Sequence, residues 1–392
     1  MQYGKIIWPV VLLNVVPCIF AQELTREGRY WIATFSKSVP ASRNGTLQVD
    51  GIRGDVAVKT WDRNEVRIAG RLKMDIPSRQ EAALAAEEAL DAVGVRGDTV
   101  RIQGRRFSRG WMESRFEIMV PVYFTCETVL GSGSVSLHGL AGPADLKTGG
   151  GSITVTDTRG PCRLKTGGGP LLLKQIEEEI TAVTGGGAIE ISDAGSGISA
   201  VTGGGAVRIL RAARGAVVIT GGGDIDVSES KGKLQLTTGG GNIRTARIRG
   251  SLEGTTGGGS IVVTTLEGDM ELRTGGGDIR LSGITGIIQA KTGSGNIDAE
   301  CLLKRLPEGS HMELESGNGN ITLSLLPGIA CTIDASVPAG RFGWQANRIN
   351  SEFPLELVTS EDIIRASGHV NGGGPKIRIV SGNGNIHIRR MK

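Results

Sequence analysis

The chain has 392 residues, 21% charged and 39% hydrophobic, so it carries enough apolar side chain to fold and is not a disordered segment. Glycine is the outlier at 62 residues, without the every-third-residue spacing of collagen, and aromatics are only 4%, which points to a narrow, turn-rich core. The net charge of +4 is spread along the chain and leaves no concentrated basic patch, which argues against a nucleic-acid partner.

Residues 1–21 read as a signal peptide. Lys5 supplies a weak positive region, and Ile6 to Phe20 is mostly apolar but broken by Pro9, Asn14 and Pro17. Ile19-Phe20-Ala21 suits signal peptidase, so cleavage is expected after Ala21. The run is too short and too interrupted to span a bilayer, and no second apolar segment follows. Lipid anchoring at Cys18 is the alternative, disfavoured by Pro17 just before it. The expected destination is therefore the periplasm, the cell surface or the medium.

Residues 22–128 form an N-terminal β region. Gly45, Leu47 and Val49 are followed nine residues later by Gly54, Val56 and Val58, which marks early irregular coils or a capping sheet over residues 30–70. A helix is expected over residues 78–93: Pro77 precedes it, Ser78 and Glu81 make a capping box, and Gly94 can close it. Its alanine-rich body suits packing on the end of a rod, where it would cover an open edge. Arg115 to Phe124 then reads as a strand leading into the repeats.

Residues 129–300 are dominated by one repeat. Thr-Gly-Gly-Gly begins at Thr148, Thr166, Thr184, Thr202, Thr220, Thr238, Thr256 and Thr274, always 18 residues apart. Leu130-Gly-Ser-Gly precedes the series and Thr292-Gly-Ser-Gly continues it. Within each unit two segments alternate with period two, as half-buried strands do. Four columns stay apolar or small, beginning at Ile153, Val155, Cys162 and Leu164, with mainly polar residues such as Glu190, Arg208, Asp226 and Arg244 between them. The fold class is therefore all-β: a single-stranded β-solenoid of 18-residue coils, two short strands per coil. One coil cannot bury enough apolar surface to offset the ordering of its chain, so stability must come from ladders between neighbours. Glycine supplies the positive φ or close backbone approach that such turns need. The threonines fall in phase with Leu146 and Leu164, so they are expected to point inward and satisfy a turn amide.

Residues 301–392 read as irregular coils and a cap. Ser316-Gly-Asn-Gly-Asn and Ser381-Gly-Asn-Gly-Asn resemble degenerate turn units, each followed by alternation at Ile321 and Leu323 or at Ile386 and Ile388. Phe342, Trp344 and Phe353 lie between them and are expected to close that end. The cysteines left after cleavage are Cys126, Cys162, Cys301 and Cys331, with no C-x-x-C pair. Cys162 falls on an inward column, and Cys301 with Cys331 is a possible disulfide in an oxidising compartment.

Several of these segments together resemble a known family. They are Gly54-Asp-Val-Ala-Val-Lys-Thr-Trp61-Asp62, Phe116-Glu-Ile-Met-Val-Pro121, the Thr-Gly-Gly-Gly repeats, and Gly368-His-Val-Asn371-Gly-Gly-Gly374-Pro-Lys-Ile-Arg-Ile. The chain resembles, over nearly all of its mature length, the β-strand-repeat family called domain of unknown function 4097 and labelled adhesin. The resemblance implies an exported, envelope-associated bacterial β-solenoid and no established activity. The number and regularity of the glycine-rich repeats depart from the family's usual pattern.

The sequence assigns no catalytic, cofactor-binding or metal-ligating residue. Residues 125 to 341 contain no Phe, Trp or Tyr, and His138, His311, His369 and His387 are widely spread, which argues against a polysaccharide-active β-helix enzyme. No phosphate-binding glycine motif is present. In a calcium-binding β-roll the ligand aspartate would stand where this chain has Ile153, Ile189, Ile225 and Ile279, so a calcium array is rejected. Asp224 with Asp226 and the run Glu177 to Glu179 read as solvated faces rather than sites. The expected function is a non-catalytic surface adhesin or envelope scaffold that binds an envelope or extracellular protein or a glycan. End-to-end self-assembly of rods is the alternative, and any binding region is placed at the ends, near Trp61, Trp111 and Trp344.

Overall fold

The structure is a computed structural model that describes residues 21–91, 93–104, 111–339 and 348–391. Residues 1–20 with Cys18, and Phe342 and Trp344, lie outside the described residues. The described chain forms the expected all-β solenoid. Two sheets face each other, and along the regular shaft each strand pairs in parallel with the strand one coil, or 18 residues, further on. In sheet A, Ile153 pairs with Leu171 and Val155 with Leu173; in sheet B, Cys162 pairs with Ile180 and Leu164 with Ala182. The four apolar columns are buried along the shaft, and one apolar cluster runs from Ala33 to Ile388.

Each coil buries six side chains where the half-period indicated four. The fifth is the threonine, which points inward as expected. Thr166 Oγ1 donates to Gly151 O at 2.8 Å and accepts from Gly169 N at 3.2 Å, and the same pair of bonds recurs through Thr292. One hydroxyl thus joins its own turn to the coil below. The sixth is a column beginning Thr158, Ile176, Ala194, Ala212, Ser230, Ile248 and Leu266. Sheet A strands run two residues past the expected turn to reach it, through a residue that the ladder skips: Thr156 pairs with Lys174 and Thr158 with Ile176. The skipped residues Asp157, Gln175, Asp193, Arg211, Glu229, Arg247 and Thr265 all have φ between 55° and 58°. They form a column of left-handed bulges without a glycine until Gly283.

The glycine triplets serve another purpose. None of the Thr-Gly-Gly-Gly glycines has a left-handed φ. A Cβ on Gly203 would overlap the Gly185 carbonyl, and one on Gly205 would overlap the Gly187 carbonyl, whereas Gly204 between them faces open space. Close stacking of one turn on the next therefore explains the first and third glycine. After the triplet an amide ladder begins. Asn242 N donates to Asp224 Oδ1 at 2.8 Å, Ser260 N to Asn242 Oδ1 at 2.9 Å, and Asn296, Asn320 and Asn385 continue it.

The N-terminal region enters the same stack. The strand Thr46–Trp61 is a whole coil in one piece. Its first half pairs with Thr125–Ser132 in sheet B and its second with Val135–His138 in sheet A. The nine-residue spacing of Gly45 and Gly54 marks that coil, and Leu47, Val49, Val56 and Val58 are all buried. Trp111–Pro121 lies beside it, and Glu65–Asp75, Tyr30–Pro40 and Ala21–Glu27 extend sheet A antiparallel as a cap. The helix spans Arg79–Asp91, within the expected 78–93, and Glu81 N donates to Ser78 Oγ at 3.2 Å. Ala82, Ala85 and Ala86 are buried. Gly94 does not close the helix: it lies in the edge strand Val93–Arg96, which pairs with Thr99–Gln103.

At the other end, His311–Ser316 and Ile321–Leu325 form one further coil and Lys376–Ser381 with Ile386–Arg390 the last. Serine replaces threonine there: Ser316 Oγ donates to Gly295 O at 2.8 Å and Ser381 Oγ to Gly319 O at 2.9 Å. Cys331–Pro338 lies beside Lys376–Ser381 in sheet B, and the hairpin of Glu356–Thr359 and Ile363–Val370 lies outside it. Among the described residues, no helix is long and apolar enough to cross a membrane.

Candidate functional site

Several outward charges of the shaft are tied to one another. On sheet A, Arg208 stands between Glu190 at 3.7 Å and Asp226 at 3.8 Å, and Arg244 between Asp226 at 3.5 Å and Asp224 at 2.8 Å. Along the left-handed corner, Arg211 meets Asp193 at 2.5 Å and Arg247 meets Glu229 at 2.7 Å. Asp224 and Asp226 therefore share an arginine and do not converge as a carboxylate pair. The Arg244 hydrogen bond holds Asp224 below the usual carboxylate range, and the Arg211 hydrogen bond does the same for Asp193. Glu177, Glu178 and Glu179 are exposed at a turn.

A concave surface interrupts the shaft. The step from Thr292 to Ser316 takes 24 residues instead of 18, and the extra length passes beside sheet B. A groove of about 320 Å³ opens there, lined by Ser251, Glu253, Asp269, Glu271, Gln289 and His311 among others. Its acids are already engaged. Glu253 accepts from Lys233 Nζ at 2.5 Å and from Gln235 Nε2 at 2.8 Å, and these bonds, led by Lys233, pull its pKa down. Asp269 Oδ1 accepts from Ile287 N at 2.8 Å, and Glu271 pairs with Arg273. The groove presents the Ser251 and Ser310 hydroxyls, the Gln289 amide and the His311 imidazole beside carboxylates that are already hydrogen-bonded or ion-paired. The lengthened step is visible in the sequence as a break in register; the groove beside it is not.

The other marked residues remain apart. His138 bonds Thr156 Oγ1 at 2.9 Å, and His369 bonds Thr332 Oγ1 at 3.1 Å in the terminal hairpin. Trp61 donates from Nε1 to Glu65 O at 2.8 Å beneath Arg63, so it is tied into its own turn. Phe353 is buried beneath Arg390. All four cysteines are buried free thiols, so Cys301 and Cys331 are not joined as a disulfide. Both belong to the core. Burial pushes the Cys126 thiol up to about 12, and burial with the neighbouring Cys301 pushes Cys331 up to about 11. Thiols held protonated in this way are poor nucleophiles. Ile153, Ile189, Ile225 and Ile279, at the calcium-ligand position of a β-roll, are fully buried.

No family model matches the chain, and no curated protein sequence matches it. Among solved structures, the crystal structure of a "putative cell adhesion protein" from Clostridium sporogenes aligns with 91% of this chain and 99% of its own, at 8% identity and a TM-score of 0.15. At that score the alignment carries no argument, and the family resemblance rests on the sequence segments that suggested it.

Proposed function

We propose that the protein is a non-catalytic, exported β-solenoid scaffold of the domain of unknown function 4097 kind, which holds an envelope or extracellular protein or a glycan at the cell surface or in the cell envelope. The observation that carries this reading is the state of the outward charges. Many of them pair, several from coil to coil, and among the described residues the carboxyls whose ionisation the surroundings shift are all shifted down: Asp193, Asp224, Glu253, Glu313 and Asp334. A general acid needs the opposite shift. A face of interlocked charges on a backbone ladder suits display better than turnover. The leader-like N-terminus supports export.

Protease treatment of intact cells, compared with lysed cells, tests the location. Cleavage on intact cells is the expected result; protection until the envelope is opened would move the scaffold to the periplasm. Release of reducing sugar from envelope polysaccharide by the purified protein would overturn the non-catalytic reading. A second reading, self-assembly of rods, is favoured by one observation: among the described residues both sheets are open at their ends, so each end offers strand edges without a further described partner.

A further inference from the structure

Sheet B ends in the strand Glu356–Thr359, which pairs antiparallel with Ile363–Val370 and with no other described strand. Leu357 is 57% exposed, Val358 55% and Ile363 50%. Free edges usually carry charge, a proline or a bulge that discourages pairing. At the N-terminal end, Ala21–Glu27 carries Glu23, Arg26 and Glu27, and the four-residue Val93–Arg96 carries Arg96 and exposes one large apolar side chain, Val95. The C-terminal edge is as short and carries Glu356, but its hairpin exposes three large apolar side chains, Leu357, Val358 and Ile363.

The hydrogen-bond alternation decides which groups this edge presents. Ser360 N donates to Ile363 O at 2.9 Å. Antiparallel pairing then turns the amides of Val358 and Glu356 toward the neighbouring strand, and those of Leu357 and Thr359 outward. A second antiparallel strand must match those two residues. A second copy of this chain does so about a twofold axis through Val358. Leu357 then opposes Thr359 of the second copy, Val358 opposes its own counterpart, and Glu356 opposes Ser360. Glu361 falls opposite Leu355, so no acid meets an acid. A slip of one residue would turn the amides away and flip the side chains to the wrong face.

We propose that two copies of this chain pair tail to tail through Glu356–Thr359, continuing sheet B across a twofold axis. The contact is isologous and closes on itself, so it makes a dimer and not a filament. It goes beyond the scaffold reading and does not depend on it. The dimer is a rod of doubled length with its two N-terminal caps at opposite poles. The contact is small, so association is weak and concentration-dependent. Glu356 and Glu361 lie in the pairing segment of both copies, so salt should strengthen the pairing by screening their mutual repulsion.

Sedimentation equilibrium of the purified protein over a range of concentrations, at low and high salt, tests this. A reversible dimer that tightens with salt is expected. Thr359→Pro removes an outward amide without touching the hairpin's own bonds, and Val358→Lys places a charge on the axis. Each should weaken association about tenfold or more while leaving the melting temperature unchanged. Val95→Lys at the other end should change nothing. Val358→Cys should cross-link two copies under mild oxidation, because directly opposed non-hydrogen-bonded residues lie about 4.5 Å apart at Cα. A monomer at every concentration, a dimer indifferent to both edge variants, or oligomers that keep growing with concentration would overturn the proposal.

Discussion

The two corners of each coil solve the same problem in opposite ways. At the Thr-Gly-Gly-Gly corner the chain uses glycine at conformations open to other residues, because the next turn packs too closely for a Cβ. At the other corner it uses seven left-handed residues that are not glycine, at φ of 55–58°. Backbone strain of that kind costs about 1 kcal/mol or more per residue. The side chains retained there include Asp193, Arg211, Glu229 and Arg247, which pair between coils. Glycine thus marks where backbones crowd, and strain is tolerated where side chains form a ladder.

The largest expected effect separates two adjacent glycines. Gly205→Ala should destabilise the protein by about 3 kcal/mol or more, since its Cβ meets a carbonyl that cannot move without shifting a coil. Gly204→Ala should be neutral or stabilising by about 0.5 kcal/mol, through the unfolded chain. Chemical denaturation of both variants checks this, and equal losses would mean that the triplet is needed for conformation after all. Next comes one substitution with opposite signs at two buried threonines. Thr220→Val leaves Gly205 O and Gly223 N without their partner and should cost about 1–3 kcal/mol. Thr245 has a buried, unpartnered hydroxyl in a column that holds valine at Val227 and Val263, so Thr245→Val should gain about 1 kcal/mol. Paired melting curves would show whether the hydroxyl or the burial matters at the corner.

A smaller effect addresses the strained corner. Thr265 is β-branched at φ 58°, and Thr265→Asn should stabilise by about 0.5–1 kcal/mol because asparagine tolerates that conformation better. A loss would show that the threonine makes a contact worth more than its strain. The smallest effect concerns the ion-pair ladder. Asp193 and Asp224 have folded pKa values below their unfolded values, so their contribution is present above the unfolded carboxylate value of about 4. It is lost as pH falls through the folded values. The melting temperature should therefore be flat from neutral pH to about pH 5 and fall below about pH 4, with a shallower fall in Asp193→Asn. Since the pairs are largely exposed, the change should be small.

Much of this was legible in the residues. The 18-residue step, the inward columns from Ile153 and Cys162, the inward threonines and the serine-based turns at Ser316 and Ser381 all follow from period and polarity, because a stacked coil puts equivalent residues in contact. The sixth column was equally present, as Ile176, Ala194, Ala212 and Ile248, but it sits behind a bulge that breaks the period of two. Gly94 misled because a glycine after a helix fits a cap as well as an edge strand. The unpaired Cys301 and Cys331 lie close together, and spacing alone does not reveal their geometry.

By itself the sequence determined a repeating all-β coil and which side chains face its core, since both depend on contacts repeated at one interval. Only the tertiary structure decided why the glycines are there, which acids are neutralised, and which strand is left at the open edge. Those outcomes depend on distances between coils and on the direction in which each amide points, and one chain's order of residues encodes neither locally.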